Sequence, residues 1–452
     1  MIKSAFLIFF SVLTVCLSYS QDSNLKKYIQ EGLENNLALK LRQDDYRQSL
    51  QNLREAKGLF FPEVSMNARF SVAEGGRTIE FPVGDLLNPV YSTLNQLTMN
   101  NMFQEIENQE FSFLRPREQE TKIRVIQPII NPDIYYNRRI QENITYADKA
   151  DIEVYKRALV ADIKTAWYNH LKALKLQVIL LNTKDLLIEN VRVNQSLYDN
   201  DKITRDVVYR SEAELNKLEQ QIAEAEKSVK TSAAYFNFLL NRELMLKLET
   251  EESDTLKLYS SREQAIEHAL NVREELQILE AYNEAAVNTL NLNRAGHLPE
   301  LVGVIDYGFE GINYSFTGDD DFAMASIVLR WELFKGFTNR SKISHARIGL
   351  EKIQKQKEEA KNAIQLQVIN AWYNLLAAEK KVPAAESETR AAQQAFRLIN
   401  TKYLHGQANF IEFMDSRNSM TNAETGLAIA KYDYLISFTD YEKAAGLYVF
   451  DE

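Results

Sequence analysis

The chain has 452 residues and a net charge of -10 at neutral pH, which argues against nucleic acid as a partner. Its single cysteine, Cys16, lies in an apolar N-terminal stretch, so removal of that stretch would exclude disulfides and thiolate metal sites. Glycine and proline number only 15 and 8, which favours long uninterrupted helices.

The first 20 residues are typical of a secretory signal peptide. Lys3 supplies a positive start, residues 5–17 are apolar, and small residues stand at Ser18 and Ser20. The apolar run is too short to span a membrane as a helix. Two alternatives remain open: an ordinary buried helix, and lipidation of Cys16 in a segment that loosely resembles a lipoprotein cleavage site. We expect cleavage near Ser20 and export of the remaining chain.

The first half of the exported chain combines strand and helix patterns. Residues 64–72 alternate apolar and polar side chains, which is the period of a strand. The polar stretch 75–120 is interpreted as a loop. Between Ile152 and Leu181, apolar residues recur every three or four positions, which predicts a long helix with a coiled-coil-like stripe. In chain order we predict a helix at 24–58, strands at 64–72 and 121–130, a helix at 133–198 and a return helix at 204–240.

The second half repeats this order, which indicates an internal twofold repeat. The tetrapeptide AWYN occurs at 166–169 and again at 371–374, and FPEV at 61–64 corresponds to LPEL at 298–301. Pro383 predicts a local kink in the second long helix. In chain order we predict a helix at 261–296, strands at 301–309 and 322–331 joined by a short turn, a long helix whose apolar stripe runs from Ile343 to Ala378, and a return helix at 410–446. The predicted domains are a signal peptide at 1–20, a first repeat at 21–240, an acidic junction at 241–260 and a second repeat at 261–452.

The four predicted strands have the length that crosses a bilayer at a tilt. Any one of them could equally belong to a soluble sheet, but very long helices flank them in an exported chain. Four strands cannot enclose a lumen, and open edges are not tolerated in lipid. We therefore expect a mixed α and β membrane protein, in which a homotrimer forms a twelve-stranded transmembrane β-barrel and a long α-helical coiled-coil barrel.

With these features in this order, the sequence resembles the TolC family of outer-membrane efflux channels. The resemblance covers nearly all of the exported chain and includes the turn Tyr403 to Gly406 in the second hairpin. It implies a homotrimer in the outer membrane with a helical tunnel in the periplasm. It further implies an exit duct for efflux or type I secretion, joined to an inner-membrane transporter through a periplasmic adaptor. A soluble periplasmic coiled-coil scaffold or adaptor is the alternative.

In this family, acidic residues near the tip of the second hairpin narrow the periplasmic opening. The resemblance places these residues at Glu412 and Asp415, three positions apart on one helix face. The alternative interpretation is an ordinary solvated helix start, where acids suit the helix dipole. The corresponding positions of the first hairpin are Val207 and Arg210, so we hypothesise that Arg205 or Arg210 pairs with the acids. The two tip turns are predicted at Tyr198 with Asp201 and at Tyr403 with Gly406.

No catalytic or cofactor site is predicted. The five histidines are scattered without zinc-type spacing, and His170 is interpreted as a packing residue. The acidic run at 319–321 lacks the spacing of a calcium loop and is interpreted as a loop tip. Aromatic residues near the strand ends fit either membrane-interface belts or simple packing, and Trp331 is the favoured interface residue.

Overall fold

The computed structural model describes residues 23–250, 259–314, 316–448 and 450. The predicted signal peptide with Cys16 lies outside the described residues, as does part of the acidic junction. In the first half, the elements are α1 (Ser23–Asn35), α2 (Leu37–Gly58), β1 (Glu63–Val72), β2 (Thr78–Phe81), α3 (Val83–Thr98), β3 (Gln109–Ser112), β4 (Arg117–Ile130), α4 (Pro132–Asp199) and α5 (Arg205–Leu239). In the second half they are α6 (Arg262–Val272), α7 (Glu274–Ala295), β5 (Glu300–Gly311), β6 (Asp321–Arg330), α8 (Thr338–Leu404) and α9 (Phe410–Ala445).

The long helices and the four main strands lie where the sequence predicts them. Apart from β2, α3 and β3, both halves run through two helices, two strands, a long helix and a return helix. That the halves are structural copies of one another, with the predicted domain limits, stays a prediction. Helix α8 continues through Pro383, and the expected kink there is likewise untested. Among the described residues, none of the helices has both the length and the hydrophobicity needed to cross a membrane.

Two predicted helices are each divided in two, which corrects the single elements expected at 24–58 and 261–296. At the first break, the Asn36 side chain donates to Leu239 O at 2.9 Å and accepts from Leu39 N at 3.0 Å. At the second, Arg273 has an extended backbone and donates from Nη1 to Ala444 O at 3.1 Å. In both places a polar side chain bonds to a neighbouring helix end. The acceptors Leu239 and Ala444 lie far away in the sequence, so local pattern does not predict these two contacts, although asparagine at position 36 is also a favoured N-cap residue.

The interpretation of residues 75–120 as a loop is wrong, because most of this stretch is folded. Strands β2 and β3 pair in a two-stranded sheet, and α3 lies between them in the sequence. Inside this segment, α3 approaches residue 106 so closely that a Cβ at Gly84 would lie 2.4 Å from Ile106 O. We refer to residues 73–116, which connect β1 to β4, as the β1–β4 insertion.

The chain divides into two compact units, and each contains segments of both halves. The described parts of Met1–Ser49, Ile144–Asn283 and Glu351–Glu452 form a helical unit. Residues Leu50–Asn143 and Glu284–Leu350 form a unit that contains all six strands.

Three apolar clusters lie between the helices in the described part of the helical unit. In the first, Trp167 is fully buried, and its ring lies 5.5 Å from those of both Tyr28 and Phe236. The second cluster surrounds Val368 and Leu375 on α8 and contains Tyr441 of α9. The third joins both hairpins and includes Leu187, Leu218, Phe396, Tyr403 and Phe413. Most positions of the predicted apolar stripes therefore pack on other helices, whereas Val178 and Leu181 at the end of the first stripe are exposed.

The strand-containing unit is built on one antiparallel sheet of order β1-β4-β5-β6. Neighbouring strands place Met66 opposite Ile123, and Ile123 opposite Tyr307. Likewise, Ser65 faces Arg124, and Arg124 faces Asp306. Since side chains alternate between the two faces of a sheet, these rows lie on opposite faces. Strands β1 and β6 are the edges of the sheet.

Candidate functional site

One face of the four-stranded sheet carries a connected set of charged side chains. Arg124 donates from Nε and Nη2 to the two carboxylate oxygens of Asp306 at 2.8 and 2.7 Å, and Asp306 is fully buried. Lys122 Nζ lies 4.0 Å from the same carboxylate and also pairs with Glu120. Arg69 lies 3.6 Å from Glu120. Two-pronged arginine–carboxylate pairs are the most directional of charged contacts, so the Arg124–Asp306 pair fixes the alignment of β4 and β5.

The opposite face of the sheet is apolar and largely exposed. Met66 and Ile327 are 72 and 74% exposed, although both are hydrophobic residues at the centre of strands. Large exposed apolar surfaces mark contact with another protein or with lipid. Other exposed large apolar side chains of this face include Val64, Phe70, Val72, Ile123, Ile130, Ile305, Tyr307 and Leu329.

Aromatic side chains occur at both ends of the sheet. At the end next to the β1–β4 insertion, the rings of Phe70 and Tyr314 stack at 5.8 Å. At the other end, Trp331 is 57% exposed and donates from Nε1 to His297 O at 2.9 Å. Trp331 directly follows β6, which ends at Arg330, so the predicted strand was one residue too long. Tryptophan with an anchored N–H and an exposed ring is typical of a membrane interface.

The two hairpin tips in the helical unit have the same turn geometry. In the first, Asp201 N donates to Tyr198 O at 2.9 Å, and in the second, Gly406 N donates to Tyr403 O at 3.0 Å. Asp201 and Gly406 both have left-handed backbones, with φ of 54 and 71°. Glycine adopts this conformation freely, and aspartate is one of the few other residues that do. The predicted tip residues therefore occupy equivalent places in the two turns.

Tyr403 does more than form a turn, because it links the two hairpins. Its ring stacks on Phe413 at 4.7 Å, and its hydroxyl donates to Oδ1 of the fully buried Asn194 on α4. Asn194 in turn donates to Asn190 Oδ1 at 3.1 Å. Burial raises the pKa of the Tyr403 phenol, so the phenol stays protonated as a donor.

The predicted gate residues lie side by side on an exposed face of α9. Glu412 Oε2 accepts from Asn409 N at 2.9 Å, and Asn409 Oδ1 accepts from Glu412 N at 2.9 Å. This reciprocal pair is a capping box, which gives Glu412 a structural role at the helix start. Asp415 is exposed one turn further along.

The arginines suggested as gate partners contact their own helix in the protomer. The Arg205 guanidinium lies over the Tyr209 ring at 5.2 Å, and Arg210 Nε lies 3.6 Å from Asp206 Oδ2. A pairing of either arginine with the gate acids stays a hypothesis about the assembled protein.

Sequence reasoning missed the ion pair that joins the hairpins near this point. Arg417 on α9 lies 3.4 Å from Glu214 on α5, and its side chain is only 5% exposed. Burial lowers the pKa of this guanidinium, although Glu214 opposes the effect. A signal was present, since Arg417 stands between the buried Met414 and Thr421 at helical spacing. A charge at that position of an apolar stripe predicts a partner on the facing helix.

His170 packs inside the helical unit, as predicted. Its Nδ1 lies 3.0 Å from Ser232 Oγ, and burial lowers its pKa, so the ring is neutral near pH 7. Within the described part of the chain, no group of histidine, cysteine or acidic side chains is arranged to hold a metal ion.

Comparison with known proteins supports the predicted resemblance to outer-membrane efflux proteins. A family model described as "Outer membrane efflux protein" matches residues 265–447. Outer membrane protein TolC of Salmonella enteritidis is 24% identical over 160 residues, which are 33% of each chain. The matched region thus spans about a third of that curated relative.

Solved structures extend the likeness of the fold over most of the chain. The CmeC outer membrane channel of Campylobacter jejuni has a TM-score of 0.79 at 15% identity, covering 94% of this chain and 86% of CmeC. The outer membrane protein VceC of Vibrio cholerae has a TM-score of 0.76 at 13% identity, covering 94% of this chain and 97% of VceC. The predicted resemblance to the TolC family of outer-membrane efflux proteins is confirmed, and so is the expected location in the outer membrane.

Proposed function

We propose that three copies of this chain form an outer-membrane channel that serves as the exit duct of a tripartite efflux or type I secretion system. The observation that carries the proposal is the four-stranded sheet, which has an apolar face, an ion-paired face and two open edges. In lipid, every backbone group of an edge strand needs a partner. Closure of β1 of one copy on β6 of the next satisfies both edges and gives a twelve-stranded barrel.

The two faces then have distinct surroundings. The apolar row of Met66, Ile123 and Tyr307 meets lipid, and the row with Arg124 and Asp306 faces the water-filled lumen. This is the alternation that transmembrane barrels require. The aromatic residues at the two ends of the sheet, including Trp331, then lie at the two membrane interfaces.

The long helices of the three copies form the periplasmic tunnel, in keeping with their coiled-coil-like stripes. A duct of this kind needs no catalytic group or cofactor. Its partners are a periplasmic adaptor protein and an inner-membrane transporter, which supply the substrate and the energy. Small molecules and secreted substrates both fit this function.

The mass of the purified protein tests the proposal. We expect extraction only with detergent, and a trimer that resists heat in mild dodecyl sulfate. Light scattering with correction for bound detergent measures the number of copies. A water-soluble monomer would instead support the second candidate, a periplasmic scaffold or adaptor.

At the tunnel mouth, Glu412 and Asp415 of three copies form two stacked carboxylate rings. Such rings favour cations and repel anions in a narrow pore. Replacement of both residues by alanine is expected to raise single-channel conductance and weaken block by multivalent cations in planar bilayers. The matched control is Glu358→Ala with Glu359→Ala, which removes two exposed acids of α8. Unchanged conductance and block in the gate variant would contradict the assignment.

The contact of Tyr403 with Asn194 holds the second hairpin against the first. Tyr403→Phe keeps the ring stacking on Phe413 but leaves Asn194 Oδ1 without its donor, which costs about 1 to 3 kcal/mol. We expect a higher open probability in single-channel recordings. Tyr198→Phe is the control, because the Tyr198 hydroxyl has no hydrogen-bond partner among the described residues. Equal behaviour of the two variants would show that this hydrogen bond does not restrain the hairpin.

A further inference from the structure

The β1–β4 insertion is a folded module with its own internal contacts. The Asn88 side chain donates to Ile106 O at 3.0 Å and accepts from Ile106 N at 2.9 Å. Seven residues further along the same side of α3, Asn95 makes the same pair of bonds with Phe103, at 2.7 and 3.0 Å. The two asparagines therefore satisfy the backbone of residues 103–106 much as a neighbouring strand would. The Tyr91 ring packs against Phe103 at 5.5 Å and completes this inner side of α3.

The outer side of α3 is apolar and has no partner within the described residues. Leu86, Val90 and Leu97 are 69, 50 and 77% exposed. Their spacing of four and then seven positions places them in one stripe on the helix. Asp85, the only charged residue of α3, instead hydrogen-bonds with Asn108 through its backbone N–H and its carboxylate. The exposed stripe is therefore without charge.

Charge decides what can cover this stripe. A helix that binds a membrane surface carries lysine or arginine beside its apolar face, and α3 has neither. The insertion as a whole has six acidic residues against two arginines, which opposes an anionic lipid surface. An uncharged apolar stripe can pack on an identical stripe without like-charge repulsion. The contact is stabilised because it removes apolar area from water.

The position of the insertion brings identical copies together. The insertion follows β1 at Val72, and β1 is an edge strand of the sheet. The insertion follows the C-terminal end of β1, whereas α2 precedes the N-terminal end of this strand. If β1 pairs with β6 of another copy, the insertion starts at the boundary between the two copies. On this basis, and resting on the proposed trimer, we propose that the apolar stripe of α3 is an interface with the insertion of a second copy of this chain.

Photo-crosslinking in cells tests this interface without requiring a particular pairing of residues. Leu97 is replaced by p-benzoylphenylalanine in the full-length protein. Irradiation is expected to yield a covalent dimer, in which mass spectrometry finds the label attached to residues 73–116 of another copy. Ser92 is the matched control site, because it is exposed on α3 but lies away from the stripe. A label at Ser92 is expected to give at least fivefold less dimer.

Two results would overturn the inference. One is that the label at position 97 forms adducts with lipid, crosslinks to a different protein or gives no product. The other is an unchanged dissociation temperature of the trimer when Leu86→Ser is combined with Leu97→Ser. We expect this double variant to dissociate at a lower temperature on dodecyl sulfate gels, and Ser92→Ala to match the parent protein.

The mass of the parent protein in detergent separates this inference from the proposed function. A trimer that gives no dimer crosslink at position 97 contradicts the α3 interface and leaves the channel proposal standing. A monomer contradicts both.

Discussion

Asp306→Asn is expected to lower the amount of folded trimer in the outer membrane. The Asp306 carboxylate is fully buried, accepts two hydrogen bonds from Arg124 and lies 4.0 Å from Lys122. Asparagine keeps the shape of the side chain but removes the negative charge, so two cations of β4 lose their shared anion. Arg124 is 36% exposed on the face proposed to line the lumen, so its charge can be hydrated, and the expected loss comes from the two-pronged contact that aligns β4 with β5.

The amount of heat-resistant trimer in isolated outer membranes measures this effect. Arg69→Gln is the control, since Arg69 is 61% exposed and its nearest acid is 3.6 Å away. Exposed pairs of this kind contribute little, and the control is expected to assemble normally. Normal trimer levels in Asp306→Asn would contradict a structural role for the pair.

Trp167→Ala is expected to destabilise the helical unit by about 3 to 5 kcal/mol, the usual cost of deleting a large aromatic side chain from a core. Trp167 is fully buried between Tyr28 and Phe236, so its removal leaves a cavity bounded by α1, α4 and α5. The loss of helical circular dichroism on heating measures the effect, as a lower melting temperature of the detergent-solubilised protein.

The second AWYN motif, at 371–374, supplies the matched control. Trp372 is only partly buried, and its neighbour Tyr373 is exposed, whereas Tyr168 beside Trp167 is buried. Trp372→Ala is therefore expected to lower the melting temperature by less than half as much. Equal losses in the two variants would contradict the unequal burial of the two tryptophans.

Most of the secondary structure could be predicted from the sequence, because its periodicity is local. Alternation at 64–72 matches β1, and the apolar spacing from Ile152 to Leu181 matches the middle of α4. These patterns report which face of an element is apolar, whatever it packs against. The tip turns were predicted from the internal repeat and the family resemblance, and in the structure Gly406 and Asp201 both have left-handed backbones.

The predictions failed where long-range contacts override local pattern. The polar stretch 75–120 predicts a loop, and its polar residues include asparagines at 88 and 95. In the structure they hold residues 103–106 against α3. The breaks at Asn36 and Arg273 likewise depend on contacts with the ends of α5 and α9.

The sequence by itself determined the order of helices and strands, the two equivalent hairpin turns and the resemblance to outer-membrane efflux proteins. It did so because periodicity and turn residues act within a few positions of each other. Only the tertiary structure decided which charges meet, such as Arg124 with Asp306 and Arg417 with Glu214. Partners in each pair are about 200 residues apart, and strand register and helix packing alone bring them within reach.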